Sequence, residues 1–188
     1  MPQFRELLRP LVERALIREE TVLASGQKSA FYFDGRTVTL SPEGAYYLAR
    51  HLLETIPADE YDAIGGMAIG ADPIASAVAA LSHELGTPKT AFIVRKERKG
   101  HGRMKQVEGP LAEGSRVVVV DDVATSGTSI LDAAHAVERE RGCKVVRVVA
   151  LVDRQQGARE LFEREGYRFT PVFTAEELGV SREEIEAG

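Results

Sequence analysis

The residues with the clearest chemical potential lie at 117–130, in the run VVVVDDVATSGTSI. Four valines predict a buried strand, and Asp121 and Asp122 follow where that strand would leave its sheet. The next residues supply hydroxyl groups and Gly127, which lets the backbone approach a bound group closely. Backbone N–H groups of such a loop, with the N-terminus of the next helix, form an anion site. Because two carboxylates would repel a bare phosphate, the ligand should also carry hydroxyl groups, a metal ion or developing positive charge.

An alternative interpretation of 117–130 is a strand that ends in an acidic turn, with Ser or Thr capping the following helix. The combination of two acids, Thr, Gly and Thr in one strand-to-helix turn favours a functional site over that alternative. The motif is not the P-loop of nucleoside-triphosphate enzymes, because the pattern GxxxxGK(S/T) occurs nowhere in the chain.

A basic segment, RKERKGHGRMKQVEG, occupies residues 95–109 and places His101 between two glycines. A solvated basic loop is the ordinary interpretation of such a charge run. The alternative is a cationic flap that closes over a bound anionic group, stabilises its charge and excludes water. The net charge of the whole chain is −5. A concentration of basic residues in one loop of an acidic protein favours the flap over an ordinary solvated loop.

A second anion-site candidate is GGMAIGADPIA at 65–75, where glycines follow a predicted strand. Asp72 could cap the next helix, with Pro73 in its first turn. Backbone amides of this turn would then face an anionic ligand. An ordinary strand-to-helix turn is an equally good interpretation of these residues.

Arg154 follows another predicted strand, and its guanidinium could bind a ligand carboxylate through two hydrogen bonds. A surface ion pair with Asp153 or Glu160 is the alternative. The single cysteine, Cys143, is interpreted as a small buried residue and not as a nucleophile. The remaining histidines have no metal-ligand spacing and are interpreted as packing or surface residues; they are His51, His83 and His135.

The elements that would position these residues alternate along most of the chain. Short apolar runs at 63–67, 90–95, 116–122 and 145–153 predict strands, and helical patterns at 72–85 and 127–141 lie between them. Strands that are apolar throughout and alternate with helices indicate a parallel sheet covered on both faces. The N-terminal quarter departs from this order and should cap one end of the sheet. It is predicted as an amphipathic helix from Phe4 to Leu16, a turn-rich and then extended segment at 25–40, and a helix at 42–56.

Composition sets the class of protein. The chain has 188 residues, 44% of them hydrophobic and 28% charged, which predicts one globular domain, 1–188. One cysteine excludes internal disulfides and cysteine-clustered metal sites, and it fits a reducing cytoplasm. The sequence offers no apolar run long enough to span a bilayer and no secretory signal, and its acidic balance argues against nucleic acid as a partner.

The run at 117–130 resembles the ribose-phosphate signature of the type I phosphoribosyltransferases: a hydrophobic strand, two acids and a small-residue loop. Residues 95–109 resemble the mobile catalytic loop of the orotate phosphoribosyltransferases, RKxxKxHGxxxxxEG. DRQQG at 153–157 and SGQKSAFYFDGR at 25–36 are similar to the DRQxG and SGxKSxxYx(D/N)xR motifs of the same family, and all four motifs occur in the family's order.

This resemblance implies an α/β type I phosphoribosyltransferase fold. A mostly parallel central sheet flanked by helices would occupy about 60–175, with a small N-terminal hood at about 1–40 and a mobile catalytic loop at 96–109. The implied reaction transfers ribose 5-phosphate from phosphoribosyl pyrophosphate to orotate, giving orotidine 5′-monophosphate and pyrophosphate in UMP synthesis. The resemblance also implies Mg²⁺ as cofactor, held through ligand oxygens and water with no certain protein ligand. It implies a homodimer in which the loop reaches the neighbouring site.

The resemblance assigns roles to individual residues. The catalytic residues would be Lys99, His101, Asp121 and Asp122. Phosphoribosyl pyrophosphate would bind to Arg95, Lys96, Lys99, His101, Asp121, Asp122, Val123, Ala124, Thr125, Ser126, Gly127, Thr128 and Ser129. Orotate would bind to Thr125, Arg154, Lys28, Tyr32 and Phe33. The chain departs from some members of the family, which have Tyr-Lys at the positions of Ile69 and Gly70 and a lysine at that of Ala24.

Two other functions compete with this interpretation. Some phosphoribosyltransferase-like domains are regulators that sense phosphoribosyl pyrophosphate and bind nucleic acid, but these need a basic surface. The other competing function, a third possibility beside orotate transfer and regulation, is the same chemistry on a purine base. Retention on heparin without orotate turnover would favour the regulator, and turnover of a purine would favour the third function.

Overall fold

The computed structural model describes residues 3–18, 21–22, 28–97 and 105–187 of the chain. Two predicted catalytic residues, Lys99 and His101, lie outside these ranges, and so does Ala24. Lys28 belongs to a described strand, but its side chain is outside the description. The roles predicted for these residues therefore stay predictions.

The N-terminal part folds into helices and short strand pairs. Its elements are α1 (Gln3–Arg14), β1 (Leu16–Ile17), β2 (Thr21–Val22), β3 (Lys28–Ser29), β4 (Tyr32–Phe33), α2 (Gly35–Thr39) and α3 (Pro42–Thr55). β1 pairs antiparallel with β4, and β2 pairs antiparallel with β3. The helices α1 and α3 were predicted, and α3 begins where Ser41 accepts a hydrogen bond from the backbone N–H of Gly44.

The extended conformation predicted up to residue 40 is wrong at its end, where GRTVT forms α2. Its β-branched residues favour strands, but the helix buries the side chains of Val38 and Thr39. The first residue, Gly35, packs so closely on β8 that an added Cβ would lie 2.8 Å from Cβ of Asp122. Tertiary contact therefore overrides the local preference.

The rest of the chain forms the predicted sheet and its covering helices. These elements are β5 (Ala63–Met67), α4 (Ala71–Glu84), β6 (Thr90–Val94), β7 (Val107–Glu108), β8 (Arg116–Ala124), α5 (Thr128–Arg141), β9 (Lys144–Asp153), α6 (Ala158–Arg164), β10 (Phe169–Thr174), a 3₁₀ turn (Glu176–Leu178) and α7 (Arg182–Glu186). The strand order is β10-β9-β8-β5-β6-β7, with β7 antiparallel to β6 and the other pairs parallel.

This order places a switch point between β5 and β8. From β5 the chain moves outward to β6 on one side, and it then returns across β5 to continue with β8 and β9 on the other side. Connections from β5 and β8 therefore diverge, and a crevice opens beyond their carboxyl ends, which is where open parallel sheets bind ligands. Residues 68–70 and 121–129 lie at this place.

Alternate valines of β8 are buried on opposite faces of the sheet. Val118 and Val120 pack with α3 and α4, whereas Val117 and Val119 pack with α5 and α6. The first of these cores also contains Leu8 of α1. The N-terminal segment is thus part of the core that covers one face, with no separate core of its own among the described residues.

Two local predictions need correction. Asp72 does not cap α4, because the helix begins at Ala71 with Gly70 as its N-cap, and Asp72 lies inside the first turn. The loop expected at 96–109 ends earlier, because Val107–Glu108 pairs with Ile93 and Val94 of β6. Within the described ranges, we find no helix with the length and apolar character needed to cross a membrane.

Candidate active site

A cavity of about 880 Å³ opens at the switch point, beyond the carboxyl ends of β5 and β8. It brings together side chains that are far apart in the sequence. Its walls are formed by Tyr32, Phe33, Arg36, Met67, Ala68, Ile69, Gly70, Lys96, Gln106, Asp121, Asp122, Val123, Thr125, Ser126, Ser129, Asp132, His135, Arg139, Arg154 and Gln156.

The two predicted acids end β8 at the floor of this cavity. The backbone N–H of Asp122 donates to Oδ1 of Asp121 at 2.9 Å, and the N–H of Val123 donates to Oδ1 of Asp122, also at 2.9 Å. Each carboxylate is therefore oriented by the backbone of the next residue. Ionised carboxylates accept hydrogen bonds, so this pair suits a ligand that donates them, such as a sugar with free hydroxyl groups.

Burial of this acid pair disfavours the charged form of both carboxyl groups. Asp121 is only 8% exposed, and burial, followed by the charge of Asp122, raises the pKa of Asp121 well above its usual range. Burial also raises the pKa of Asp122, while the positive charge of Arg36 acts in the opposite direction. A cationic ligand next to the pair would favour the ionised form of both carboxyl groups.

The loop after the acids leads directly into α5. Gly127 precedes the helix with φ of +81°, and an added Cβ would lie 3.0 Å from the ring of Phe162. A side chain at this position would be strained both by the backbone conformation and by the contact. Because the N-cap is a glycine, the helix begins without a side-chain cap, which contradicts the capping alternative. The N–H groups of its first turn lack intrahelical acceptors and can bind an anion.

The side chains of this loop divide into two groups. Thr125, Ser126 and Ser129 line the cavity, and Ser126 Oγ lies 3.1 Å from Oγ1 of Thr128. Ala124 is buried in β8, and its carbonyl accepts from the backbone N–H of Arg154. Ala124, Gly127 and Thr128 do not contribute to the cavity wall formed by the described residues.

The turn after β5 forms the opposite wall. Gly70 approaches the acids so closely that an added Cβ would overlap Oδ1 of Asp121 and lie 2.7 Å from Oδ1 of Asp122. Ile69, beside it, is 63% exposed and lines the cavity. The chain's departure from Tyr-Lys at these positions thus brings backbone, and no lysine side chain, against the acid pair.

Arg154 is buried, with 2% of its surface exposed, and it lines the cavity. Its Nη2 donates to the carbonyl of Phe31 at 3.1 Å, and its guanidinium lies 4.6 Å from the centroid of the Phe31 ring. Burial lowers the pKa of this guanidinium. The alternative of a surface ion pair is wrong because Arg154 and Asp153 are both buried. Oδ2 of Asp153 lies 4.0 Å from Nη2 of Arg159.

The N-terminal motif supplies one wall and a residue that we did not predict. Tyr32 and Phe33 line the cavity as expected. Arg36 lines it as well, with Nε 3.7 Å from Oδ1 of Asp34. A hydrogen bond with Tyr32, together with the negative charges of Asp34 and Asp122, raises the pKa of Arg36. Its place in the motif at 25–36 was the available signal.

The described ends of the basic segment differ in their surroundings. Lys96 is exposed and lines the cavity, as predicted for a residue that contacts the ligand. Arg95 does not line it, and its Nε donates to Oε1 of Glu108 at 2.5 Å. Of these two residues, only Lys96 contributes to the cavity wall.

Further cavity residues lie on α5 beyond those that we predicted, and they include His135, which we interpreted as a packing or surface residue. Asp132, His135 and Arg139 follow Ser129 at intervals of three or four residues, so all lie on one helix face. That polar periodicity was a usable signal. Gln106 and Gln156 also line the cavity, and both belong to motifs already quoted, at 95–109 and 153–157.

Comparison with known proteins identifies the family. Residues 45–170 match the family model of the phosphoribosyl transferase domain. The orotate phosphoribosyltransferase of Nostoc sp. is 43% identical over 182 residues, which cover 96% of this chain and 87% of the relative. This chain belongs to the orotate phosphoribosyltransferase family. The family and the fold predicted from the sequence are thereby confirmed.

Other orotate phosphoribosyltransferases agree with this assignment. The enzyme of Synechocystis sp. is 46% identical over 171 residues, or 89% of this chain and 84% of the relative. The crystal structure of orotate phosphoribosyltransferase from Mycobacterium tuberculosis in complex with 5-phospho-α-D-ribosyl 1-diphosphate superposes with a TM-score of 0.74 at 36% identity, covering 94% of this chain and 99% of that one.

Proposed function

We propose that this protein transfers ribose 5-phosphate from phosphoribosyl pyrophosphate to orotate, forming orotidine 5′-monophosphate and pyrophosphate in UMP synthesis. One observation carries the proposal: the acid pair, the hydroxyl-rich loop at 125–129 and Arg154 meet in one cavity at the switch point. This cavity offers hydrogen-bond acceptors for a sugar, an anion site for its phosphate and a buried guanidinium for a carboxylate. The protein would act in the cytoplasm.

The acid pair would stabilise the sugar during transfer. The bond between the anomeric carbon and the pyrophosphate oxygen breaks, and positive charge develops on the ribose ring while the pyrophosphate gains negative charge. Asp121 and Asp122 would hold the ribose hydroxyls and stabilise the cationic ring. The attacking group is a ring nitrogen of orotate, so catalysis needs no protein nucleophile and consists of positioning and charge stabilisation.

Arg154 and the N-terminal motif would hold orotate. The carboxylate of orotate would bind the Arg154 guanidinium, which is already fixed by the Phe31 carbonyl. Tyr32 and Phe33 would pack against the base, with Lys28 and Thr125 adding polar contacts. On the other side of the sugar, Lys96, Lys99 and His101 would neutralise the leaving pyrophosphate.

The residues of this cavity could hold magnesium only through water and the oxygens of a bound substrate. Among the described residues, we find no group of three or more His, Cys, Asp or Glu side chains that could cage a metal ion. Mg²⁺ at phosphate sites usually keeps water and ligand oxygens in its shell. Asp121 and Asp122 would therefore hold it through water and sugar oxygens, and the ion would neutralise charge on the pyrophosphate.

The decisive experiment follows the ultraviolet absorbance of orotate with phosphoribosyl pyrophosphate and Mg²⁺, with and without EDTA. We expect the absorbance to fall, pyrophosphate to appear in equal amount, and EDTA to stop both. Turnover of a purine base without orotate turnover, or heparin retention without any turnover, would overturn the proposal. Unchanged activity in EDTA would overturn the metal requirement alone.

The homodimer is part of the same proposal and has its own test. Asp121→Asn and Lys99→Ala should each be nearly inactive, because one affects the sugar site and the other the basic loop. If the loop of each subunit serves the neighbouring site, mixing the two variants under exchange conditions should restore activity at one site of each hybrid dimer. A mixture that stays inactive although hybrids form would contradict a shared site.

A further inference from the structure

The last turn of α5 binds the backbone at the point where β7 begins. Oε2 of Glu140 accepts hydrogen bonds from the N–H groups of Gln106, at 2.9 Å, and Val107, at 3.2 Å. The Glu140 side chain is only 14% exposed. A carboxylate that accepts two backbone donors away from bulk water fixes the position of that backbone strongly.

Neighbouring residues of α5 bind the same backbone. Nη2 of Arg139 donates to Oε1 of Gln106 at 3.0 Å, and Nη2 of Arg141 donates to the carbonyl of Val107 at 3.3 Å. Glu140 also orients Arg139, since its Oε1 lies 3.8 Å from Nη2 of that guanidinium. Three successive side chains of one helix turn therefore converge on residues 106–107.

The backbone at 106–107 is in turn bonded to the start of the basic segment. The N–H of Arg95 donates to the carbonyl of Gln106 at 2.9 Å, and Nε2 of Gln106 donates to the carbonyl of Arg95 at 3.2 Å. We call Arg95, Gln106 and Val107 the neck. Lys96, which lines the cavity, follows the neck directly, so the position of its backbone depends on where the neck is held.

One rigid element thus joins the two halves of the site. α5 begins at the loop at 125–129, which we call the phosphate loop after its role in the proposed function, and it ends beside the neck. Its 14 residues span about 20 Å at 1.5 Å per residue. We propose that Glu140 is a positioning residue: it fixes the neck on α5 and thereby sets the place of Lys96 relative to the phosphate loop and the acid pair. This inference rests on the proposed function, in which Lys96 neutralises the leaving pyrophosphate.

Glu138 provides a matched control on the same helix turn. Its Oε2 accepts from the hydroxyl of Tyr167 at 2.8 Å, and its Oε1 accepts from the N–H of Val145 at 3.4 Å. It therefore fastens α5 to β9 and to the segment before β10, away from the neck. Glu138→Ala should lower the thermal midpoint without altering kcat of the folded protein.

The kinetic test compares Glu140→Ala, Glu140→Gln and Glu138→Ala. Because catalysis is sensitive to displacements of about 1 Å, Glu140→Ala should lower kcat about tenfold, with KM for orotate changed less than about twofold. Glu140→Gln keeps an acceptor oxygen and should recover most of the lost kcat. Equal kcat for Glu140→Ala and the wild type, or equal loss in Glu138→Ala, would overturn the positioning role.

Amide hydrogen exchange tests the neck without reference to activity. The N–H groups of Gln106 and Val107 should exchange faster in Glu140→Ala than in the wild type, and at the wild-type rate in Glu138→Ala. Unchanged exchange in Glu140→Ala would overturn the inference. If the wild type converted no orotate, the proposed function would fail, while the exchange comparison would still decide whether Glu140 holds the neck.

Discussion

The carboxyl group of Asp121 is buried and lies beside the carboxyl group of Asp122. Burial and a neighbouring negative charge each disfavour its ionisation. Its pKa in the folded protein lies above the usual value, so the folded state binds this proton more tightly than the unfolded chain. The stability that this group contributes is fully present below the usual carboxyl pKa and is lost as pH rises through the raised value. The site is thus destabilising at neutral pH, as functional sites often are.

The substitution Asp121→Asn should separate stability from activity. It removes the buried charge but keeps an oxygen for the N–H of Asp122, so we expect the free energy of unfolding at pH 7 to rise by about 1 kcal/mol. The gain should shrink when the pH is lowered from 7 to 4, because the raised pKa of Asp121 favours its uncharged form as the pH falls, and orotate turnover should fall at both pH values. Urea denaturation at the two pH values measures the first effect. Asp59→Asn, at an exposed carboxylate between α3 and β5 that does not line the cavity, is the control.

Arg154 should discriminate between the two substrates. The Arg154→Ala variant should raise KM for orotate by about ten- to a hundredfold, since a hydrogen-bonded charge pair contributes about 1.5–3 kcal/mol. KM for phosphoribosyl pyrophosphate should change little. Initial rates with each substrate varied in turn provide the measurement, and Arg159→Ala, at an exposed arginine on α6, is the control. An equal rise in both KM values would exclude a specific role in binding the carboxylate.

At the scale of elements, the turn between β5 and α4 depends on the absence of a side chain at Gly70. The Gly70→Ala variant would push the turn away from Asp121 and Asp122, since an added Cβ would overlap their oxygens. We expect a loss of about 1–3 kcal/mol in the free energy of unfolding, as in other overpacked sites, and a large fall in turnover.

A neighbouring substitution controls for the effect of altering this turn. Ile69→Ala shortens an exposed side chain and should leave the free energy of unfolding within about 0.5 kcal/mol of the wild type. Denaturant titrations of both variants make the comparison. Equal stability of Gly70→Ala and Ile69→Ala would contradict the prediction. It would show that the turn can move away from the acids without loss of stability.

At the scale of the whole molecule, the N-terminal segment and the sheet share one core. Leu8 of α1 packs in the cluster that contains Val118 and Val120 of β8. Arg5 adds a polar link, because its Nε donates to the carbonyl of Val172 in β10 and its Nη2 lies 2.7 Å from Oε1 of Glu177. The segment at 1–40 that we predicted as a hood should therefore not unfold separately.

Calorimetry tests this cooperativity. We expect one heat-capacity peak for the wild type, and the Leu8→Ala variant should shift the whole peak downward, because such cavities cost about 2–5 kcal/mol. Exposed Leu7 on the same helix is the control, and Leu7→Ala should shift the peak much less. Two resolved peaks, of which only one responds to Leu8→Ala, would show that the hood is an independent unit.

The sequence by itself determined the class of fold and the centre of the site. Apolar runs such as VVVV at 117–120 specify strands buried on both faces, because only a covered parallel sheet removes every side chain from water. Asp121, Asp122 and the loop at 125–129 were found because they are contiguous in the chain, and contiguous motifs keep their chemistry wherever the fold places them. The helices α1 and α4 were found because their apolar residues recur with the helical period.

Only the tertiary structure decided which distant residues join that centre. Gly70 meets the acid pair because the strand order brings the ends of β5 and β8 together, and strand order leaves no local trace in the sequence. The helix α2 forms against its β-branched propensity because packing on β8 buries it. The raised pKa of Asp121 likewise arises from burial under several elements at once, and the surroundings of a side chain are set by the whole fold, not by its neighbours in the chain.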